Sequence, residues 1–212
     1  MMQLPRRGVL GAGLAFGLAG TSARAQDSLP VTPSITLGPF YPVIRPTDTD
    51  ADLTRVAGRT GLAQGEVIQL IVKMVDRQGR PIIGGLVELW HCNAAGRYAH
   101  PADPNTAPLD PDFQGFAQIG TDAQGEFRIT TIKPAAYPAG PDWMRAPHIH
   151  MDARGRSYRS SLQMMFDDPL LAQDRVLTDF DADELSRVIA RPLERGVDGM
   201  ARFGWTMVML EG

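Results

Sequence analysis

The chain has 212 residues, 43% of them hydrophobic and 21% charged, which is enough for one well-buried core and shows no bias toward a disordered or fibrous chain. Its formal net charge of −3 argues against a nucleic-acid partner. A single cysteine, Cys92, excludes an internal disulfide.

The first 26 residues read "MMQLPRRGVLGAGLAFGLAGTSARAQ": paired Arg6 and Arg7, an uncharged run over 8–23, then Ala23-Arg24-Ala25. This pattern predicts an export signal over 1–25, cleaved near Ala25. The run is too short and too rich in glycine for a membrane span, which needs about 18 or more apolar residues. Twin arginines suggest the Tat route, although Pro5 and Val9 depart from its usual flanking residues. Cleavage removes Arg6, Arg7 and Arg24 and no acid, taking the net charge from −3 to −6. No cysteine follows the cleavage site to carry a lipid, so the expected destination is the periplasm or the medium, with no membrane anchor. Export in the folded state would suit a protein that acquires a cofactor in the cytoplasm.

Residues 26–65 are rich in Pro, Thr and Asp without clear periodicity and are expected to form an extended arm around a core. The β-sandwich domain is expected over 66–212. "EVIQLIVKMV" (66–75) predicts a strand, ended by a turn at 76–79, and "LVELWH" (86–91) the next. Trp90 and Cys92 alternate around His91, which assigns one face of that strand to the core. The segment 99–114 has four prolines and no apolar run; it reads as a long loop, of the kind that often carries function. "GFAQIG" (115–120) and "FRITTI" (127–132), joined by "TDAQGE", predict a hairpin. "HIHMDA" (148–153), "SLQMMF" (161–166) and "RFGWTMVML" (202–210) add strands. "DADELSRVIARPL" opens with Asp181 and Glu184 in capping-box spacing and predicts one helix. Many short strands between turn signals predict an all-β fold, an antiparallel β-sandwich with long peripheral loops and one short C-terminal helix.

Two of the four histidines, His148 and His150, stand two residues apart in "RAPHIHM" (145–151). On a strand, such residues share a face about 6.6 Å apart along the chain, so both imidazoles can address one point. That geometry permits a shared metal ion without demanding one, and two histidines are too few to close a site. Pro147 removes a ladder donor just before the pair, placing it where a loop enters the sheet, a common setting for functional residues. No cysteine pair and no acidic loop of the EF-hand type is present.

"LWHCNAAGRYAH" (89–100), "TTIKPAAYP" (130–138), "RAPHIHM" (145–151) and "LQMMF" (162–166), in that order, with "TLGPFYP" (36–42) upstream, resemble the intradiol ring-cleavage dioxygenases, most of all the protocatechuate 3,4-dioxygenase type. The resemblance implies a non-haem Fe(3+) site with Tyr98, Tyr137, His148 and His150 as ligands. It implies Arg145 and Tyr137 as catalytic residues, and Gln163, Gly38 and Pro39 as substrate-binding ones. The ligand types make chemical sense: phenols have a pKa near 10, a coordinating cation favours the phenolate, and hard anionic oxygens favour ferric over ferrous iron.

The reaction so implied cleaves a catechol, with dioxygen, between its two hydroxyl-bearing carbons to give a cis,cis-muconate-type diacid. Catechol binding displaces Tyr137, which takes up one of its protons, and Arg145 steadies charge on the ring. One departure is the run from Tyr137-Pro138 into Ala139-Gly140, where the protocatechuate type often has an aromatic residue. It leaves substrate identity open and points to a larger substituted catechol. His91 and His100 are expected to be structural or to support the ligands. A homo-oligomer is left open. The stretches "IVKMVDRQGRPIIGGLVELW" and "TDAQGEFRITTIKPAAY" also resemble exported transthyretin-like and carboxypeptidase-regulatory modules, which mostly bind or build, but those modules do not call for R-x-x-H-x-H.

Overall fold

Alternation governs the first strand, β1 (Val67–Val75): Ile68, Leu70, Val72 and Met74 are buried while Gln69, Ile71 and Lys73 turn the other way. The same period-2 reasoning accounts for β2 (Leu86–Trp90), β3 (Phe116–Gly120) and β4 (Glu126–Ile132). Two short strands follow, β5 (Tyr137–Gly140) and β6 (Trp143–Arg145), and then β7 (His148–Arg154) and β8 (Arg159–Met165). A 3₁₀ turn (Pro169–Gln173), helix α1 (Ala182–Val188), β9 (Arg191–Leu193) and β10 (Ala201–Val208) complete the elements of the described residues. This computed structural model describes Met1 and residues 28–210; the expected export signal lies outside the stretch 28–210.

Two four-stranded sheets, in the orders β4-β1-β10-β9 and β3-β2-β7-β8, pack face to face, and β5 and β6 form a separate hairpin. Leu70, Val72, Ile129 and Met207 from the first sheet meet Val87, Leu89, Ile149, Met151 and Leu162 from the second in one apolar core. Each such side chain is stabilised by about 1.5–3 kcal/mol relative to exposure. The expected sandwich is therefore present. Its pairings are antiparallel except that β1 and β10 run parallel along Ile68 to Val75.

Three local expectations need correction. The segments 115–120 and 127–132 do not form a hairpin: β3 pairs with β2 and β4 with β1, in opposite sheets. The turn between them is real, with Asp122 Oδ1 accepting from the Gln124 and Glu126 amides. It carries the chain across the core, because Ala117 and Ile129 both bury their side chains between the sheets. Helix α1 keeps the expected capping box but ends at Val188, with Ile189 extended. Pro192 follows within an edge strand paired to β10, where its missing N–H is tolerated. The hairpin β5–β6 was not expected at all, since three- and four-residue strands are too short to show a period.

Residues 28–64 contain no helix and no strand. They cross both sheets in extended form: the amides of Thr32, Ile35 and Leu53 donate to the carbonyls of Val208, Ser161 and Thr130. Leu53 is fully buried in the main core.

Candidate metal centre

Sheet periodicity places His148, His150 and Asp152 on the face of β7 that looks away from the main core, since Ile149, Met151 and Ala153 occupy the other. His150 stands opposite Trp90 on one side and Gln163 on the other, and His148 opposite Met165. The two Nε2 atoms are 3.1 Å apart. His148 Nδ1 lies 2.6 Å from the Ala146 carbonyl; a carbonyl can only accept, so Nδ1 carries the hydrogen and Nε2 a free lone pair.

The tyrosines arrive on two loops. Tyr98 lies in the segment between β2 and β3, which folds around its own polar side chains. Asn93 Oδ1 accepts from the Ala95 and Arg97 amides, Asp103 Oδ2 accepts from the Tyr98 amide, and Asn105 Nδ2 donates to the Gly96 carbonyl. Tyr137 opens β5 and is paired in register with Arg145 at the end of β6. Its hydroxyl is 3.5 Å from His148 Nε2, and its ring meets Tyr98 edge-on with centroids 5.3 Å apart. The loops touch at Gly96, which has φ +75°; a Cβ there would stand 2.9 Å from the Ala136 carbonyl oxygen.

The structure therefore brings Tyr98, Tyr137, His148 and His150 together, and all four are at most 4% exposed. Burial lowers His148 to a pKa of about 3 and His150 well below the usual imidazole value, so both are neutral. Burial also raises both phenols above their ordinary value, Tyr98 most. Arg145 supplies an opposing positive charge that favours the phenolates and disfavours imidazolium at both histidines. Its own position is set by Asp174, whose carboxylate accepts from Arg145 Nε at 2.9 Å, and by Gln163, whose Oε1 accepts from Nη2. Gln163 in turn donates to the Thr36 carbonyl at 2.7 Å, tying the arm to the site.

These residues fit a metal ion. Two imidazole nitrogens each about 2.1 Å from one ion and at right angles stand about 3 Å apart, close to the 3.1 Å observed. The Tyr98 hydroxyl is buried without a well-formed hydrogen bond, with the Tyr137 hydroxyl interacting with it, a costly arrangement that a cation would relieve. Among the described residues no group of three or more His, Cys, Asp or Glu side chains is gathered for a metal, so the two phenols are needed to complete four donors.

Gly38, with φ +70°, packs on the His150 ring, where a Cβ would stand 3.0 Å from Cε1. Pro39 beside it is exposed. Sequence reasoning missed three residues. Phe40 lies 4.6 Å from Tyr98, centroid to centroid; its place in "TLGPFYP" was the available signal. Asp174 carried no signal, being an isolated acid in a loop. Trp90, assigned to the core with Cys92, is buried, but both belong to a separate cluster with Tyr98, Phe116 and Tyr137. His91 is structural, bonded to the Cys92 carbonyl and to Thr131 Oγ1, while His100 approaches Phe40 at 5.7 Å. A groove of about 500 Å³ on the other sheet, between Lys73, Arg187 and Trp205, shares no residue with the tyrosine–histidine cluster.

A sandwich with a buried two-tyrosine, two-histidine cluster defines a recognisable class. The dioxygenase family model matches residues 36–208, and the chain belongs to the intradiol ring-cleaving dioxygenases, a family of oxidoreductases. It is 44% identical over 147 residues to the protocatechuate 3,4-dioxygenase beta chain of Burkholderia cepacia, a match covering 67% of this chain and 63% of that one. The alpha chain from the same organism is 30% identical over 176 residues, covering 78% of this chain and 86% of its own. Hydroxyquinol 1,2-dioxygenase of Pseudomonas putida DLL-E4 shares the fold with a TM-score of 0.67 at 20% identity, covering 86% of this chain and 67% of that one. An intradiol ring-cleavage dioxygenase of Tetranychus urticae does so with a TM-score of 0.64 at 18% identity, covering 85% and 94%.

Proposed function

We propose that the protein is a mononuclear non-haem ferric dioxygenase that cleaves a catechol-type ring between its hydroxyl-bearing carbons, yielding a cis,cis-muconate-type diacid. The convergence of two buried phenols and two neutral imidazoles beside a fixed arginine carries this reading. Tyr98, Tyr137, His148 and His150 would hold iron, which supplies Lewis-acid binding of the catechol and keeps its ring electron-rich toward dioxygen.

The remaining work falls to the chain. As the phenolate that a bound cation would favour, Tyr137 Oη would accept a proton from the substrate hydroxyl, and burial, which raises this phenol above its ordinary value, would keep the proton there. Arg145, held by Asp174 and Gln163, presents a positive charge that stabilises negative charge on the ring. Burial of the cluster excludes bulk water, which strengthens every charge interaction within it.

The exposed Ala139 and Gly140 beside Tyr137 support a substituted catechol larger than protocatechuate. Similarity to both an alpha and a beta chain supports an assembly of several copies, each with its own four ligands. The twin-arginine leader supports export to the periplasm or the medium. Iron analysis with a visible spectrum and oxygen uptake on a catechol panel test the reading. One ferric ion per chain and a phenolate-to-iron colour band are expected, and Tyr137→Phe should shift the band and depress turnover. A colourless protein inactive on every catechol rejects it.

A further inference from the structure

The two imidazoles are held by different means. His148 gives its Nδ1 hydrogen to the Ala146 carbonyl, the usual way in which a metal-binding histidine is oriented. No protein group bonds Nδ1 of His150, although that atom is buried. What contacts this ring is packing. The indole of Trp90, directly opposite on β2, lies parallel to it, with centroids 5.2 Å apart and planes 5° apart. Gly38 closes on the ring edge, where a Cβ would stand 3.0 Å from Cε1.

The indole is itself braced. Tyr41 meets it edge-on, 5.0 Å away at 88°. The Tyr41 hydroxyl donates to Glu88 Oε2 at 2.8 Å and accepts from Arg45 Nη2 at 2.8 Å. Glu88 is fully buried on the same face of β2 as Trp90 and also accepts from Gln118 at 2.8 Å. It is paired with Arg45 at 2.8 Å and with Arg154 at 3.4 Å. A path of direct contacts thus runs from a charged anchor on the arm to one face of a candidate ligand.

We propose that Trp90 is a positioning residue for His150: its indole face, braced by Tyr41 on Glu88, sets the plane of the imidazole and aims Nε2 at the point shared with His148. A stacked aromatic pair contributes about as much as a hydrogen bond, so stacking can replace the bond that His150 lacks. The inference rests on the iron reading and adds the means by which one ligand is oriented.

The test compares wild type with Trp90→Leu, Trp90→Phe and Tyr41→Phe, and with His148→Ala as the control for the site. Ferric affinity is read by chelator competition, and the histidine ring resonances are read by NMR in metal-free protein, with thermal unfolding reporting the fold. Trp90→Leu should weaken iron binding about 10- to 100-fold, the range for residues that support a ligand, and abolish the upfield ring-current shift of His150. Trp90→Phe, which keeps a flat face, should recover most of both.

Unchanged affinity and an unchanged His150 shift in Trp90→Leu overturn the proposal, as does Trp90→Phe losing as much as Trp90→Leu. Should Trp90→Leu fail to fold, Tyr41→Phe decides: severalfold weaker iron binding and broadened His150 signals are expected, and wild-type values overturn it. Wild-type protein that takes up no iron, or His148→Ala that takes it up equally well, refutes the iron reading instead. The metal-free ring shift then still decides whether Trp90 sets the His150 plane.

Discussion

Arg145 and Asp174 lie 29 residues apart in the chain yet form a buried ion pair, with both side chains at most 5% exposed. Asp174 also accepts from the amides of Ala146 and Val176, so it fixes the loop before His148 as well as the charge beside it. Removing one partner of such a pair strands a buried charge and costs about 3–5 kcal/mol. Asp174→Asn should lower the unfolding free energy by about that amount and depress turnover in the fraction that still folds, as chemical denaturation and oxygen uptake would show.

Gly96 matters for a different reason, since its positive φ and its contact with the Ala136 carbonyl let the two tyrosine loops meet. Gly96→Ala should cost at least about 1–2 kcal/mol in backbone conformation alone and reduce iron uptake by separating Tyr98 from Tyr137. The four candidate ligands and Arg145 were legible through the motifs that resemble a known family. Asp174 was not, because nothing in a run of sequence marks which distant acid will meet a buried arginine.

At the scale of elements, period and capping were local and readable, while strand partnership was not. The capping box at Asp181 formed as its spacing required, with Glu184 bonding back to the Asp181 amide. Asp181→Ala should cost about 1 kcal/mol and leave turnover unchanged, measured by denaturation beside oxygen uptake, because this helix end touches none of the candidate ligands. The segments 115–120 and 127–132 were readable as strands and misjoined as a hairpin. Their turn chemistry is the same whether the chain doubles back within a sheet or crosses to the facing one. Burial of Ala117 and Ile129 between the layers decides which. The hairpin β5–β6 exists because Tyr137 and Arg145 pair across it, a contact that two very short strands do not announce.

Across the whole molecule, three fully buried histidines make the metal-free fold sensitive to acid. Burial lowers His91 to about 4 and His148 to about 3 from the ordinary 6.5, and His150 moves the same way. A folded value below the unfolded one means that the unfolded chain binds more protons between the two. Stability is therefore complete above about pH 6.5 and lost as pH falls toward 4 for His91 and 3 for His148. For His91 alone the loss reaches about 3 kcal/mol. Urea unfolding of metal-free wild type and His91→Gln at pH 7 and pH 4.5 should show a drop smaller by about 2–3 kcal/mol in the variant.

By itself, the sequence determined that His148 and His150 share one face of a strand, because the two-residue period is a property of neighbours along the chain; the two tyrosines were named only through the family resemblance. It likewise determined a sandwich of short alternating strands and an arm without periodicity. Only the tertiary structure decided that β10 lies parallel to β1, that β3 and β4 belong to facing sheets, and that Trp90 stacks on His150, Phe40 packs on Tyr98 and Asp174 pairs with Arg145. Those outcomes depend on which distant surfaces bury one another. Packing settles that among all elements at once, and no local pattern records it.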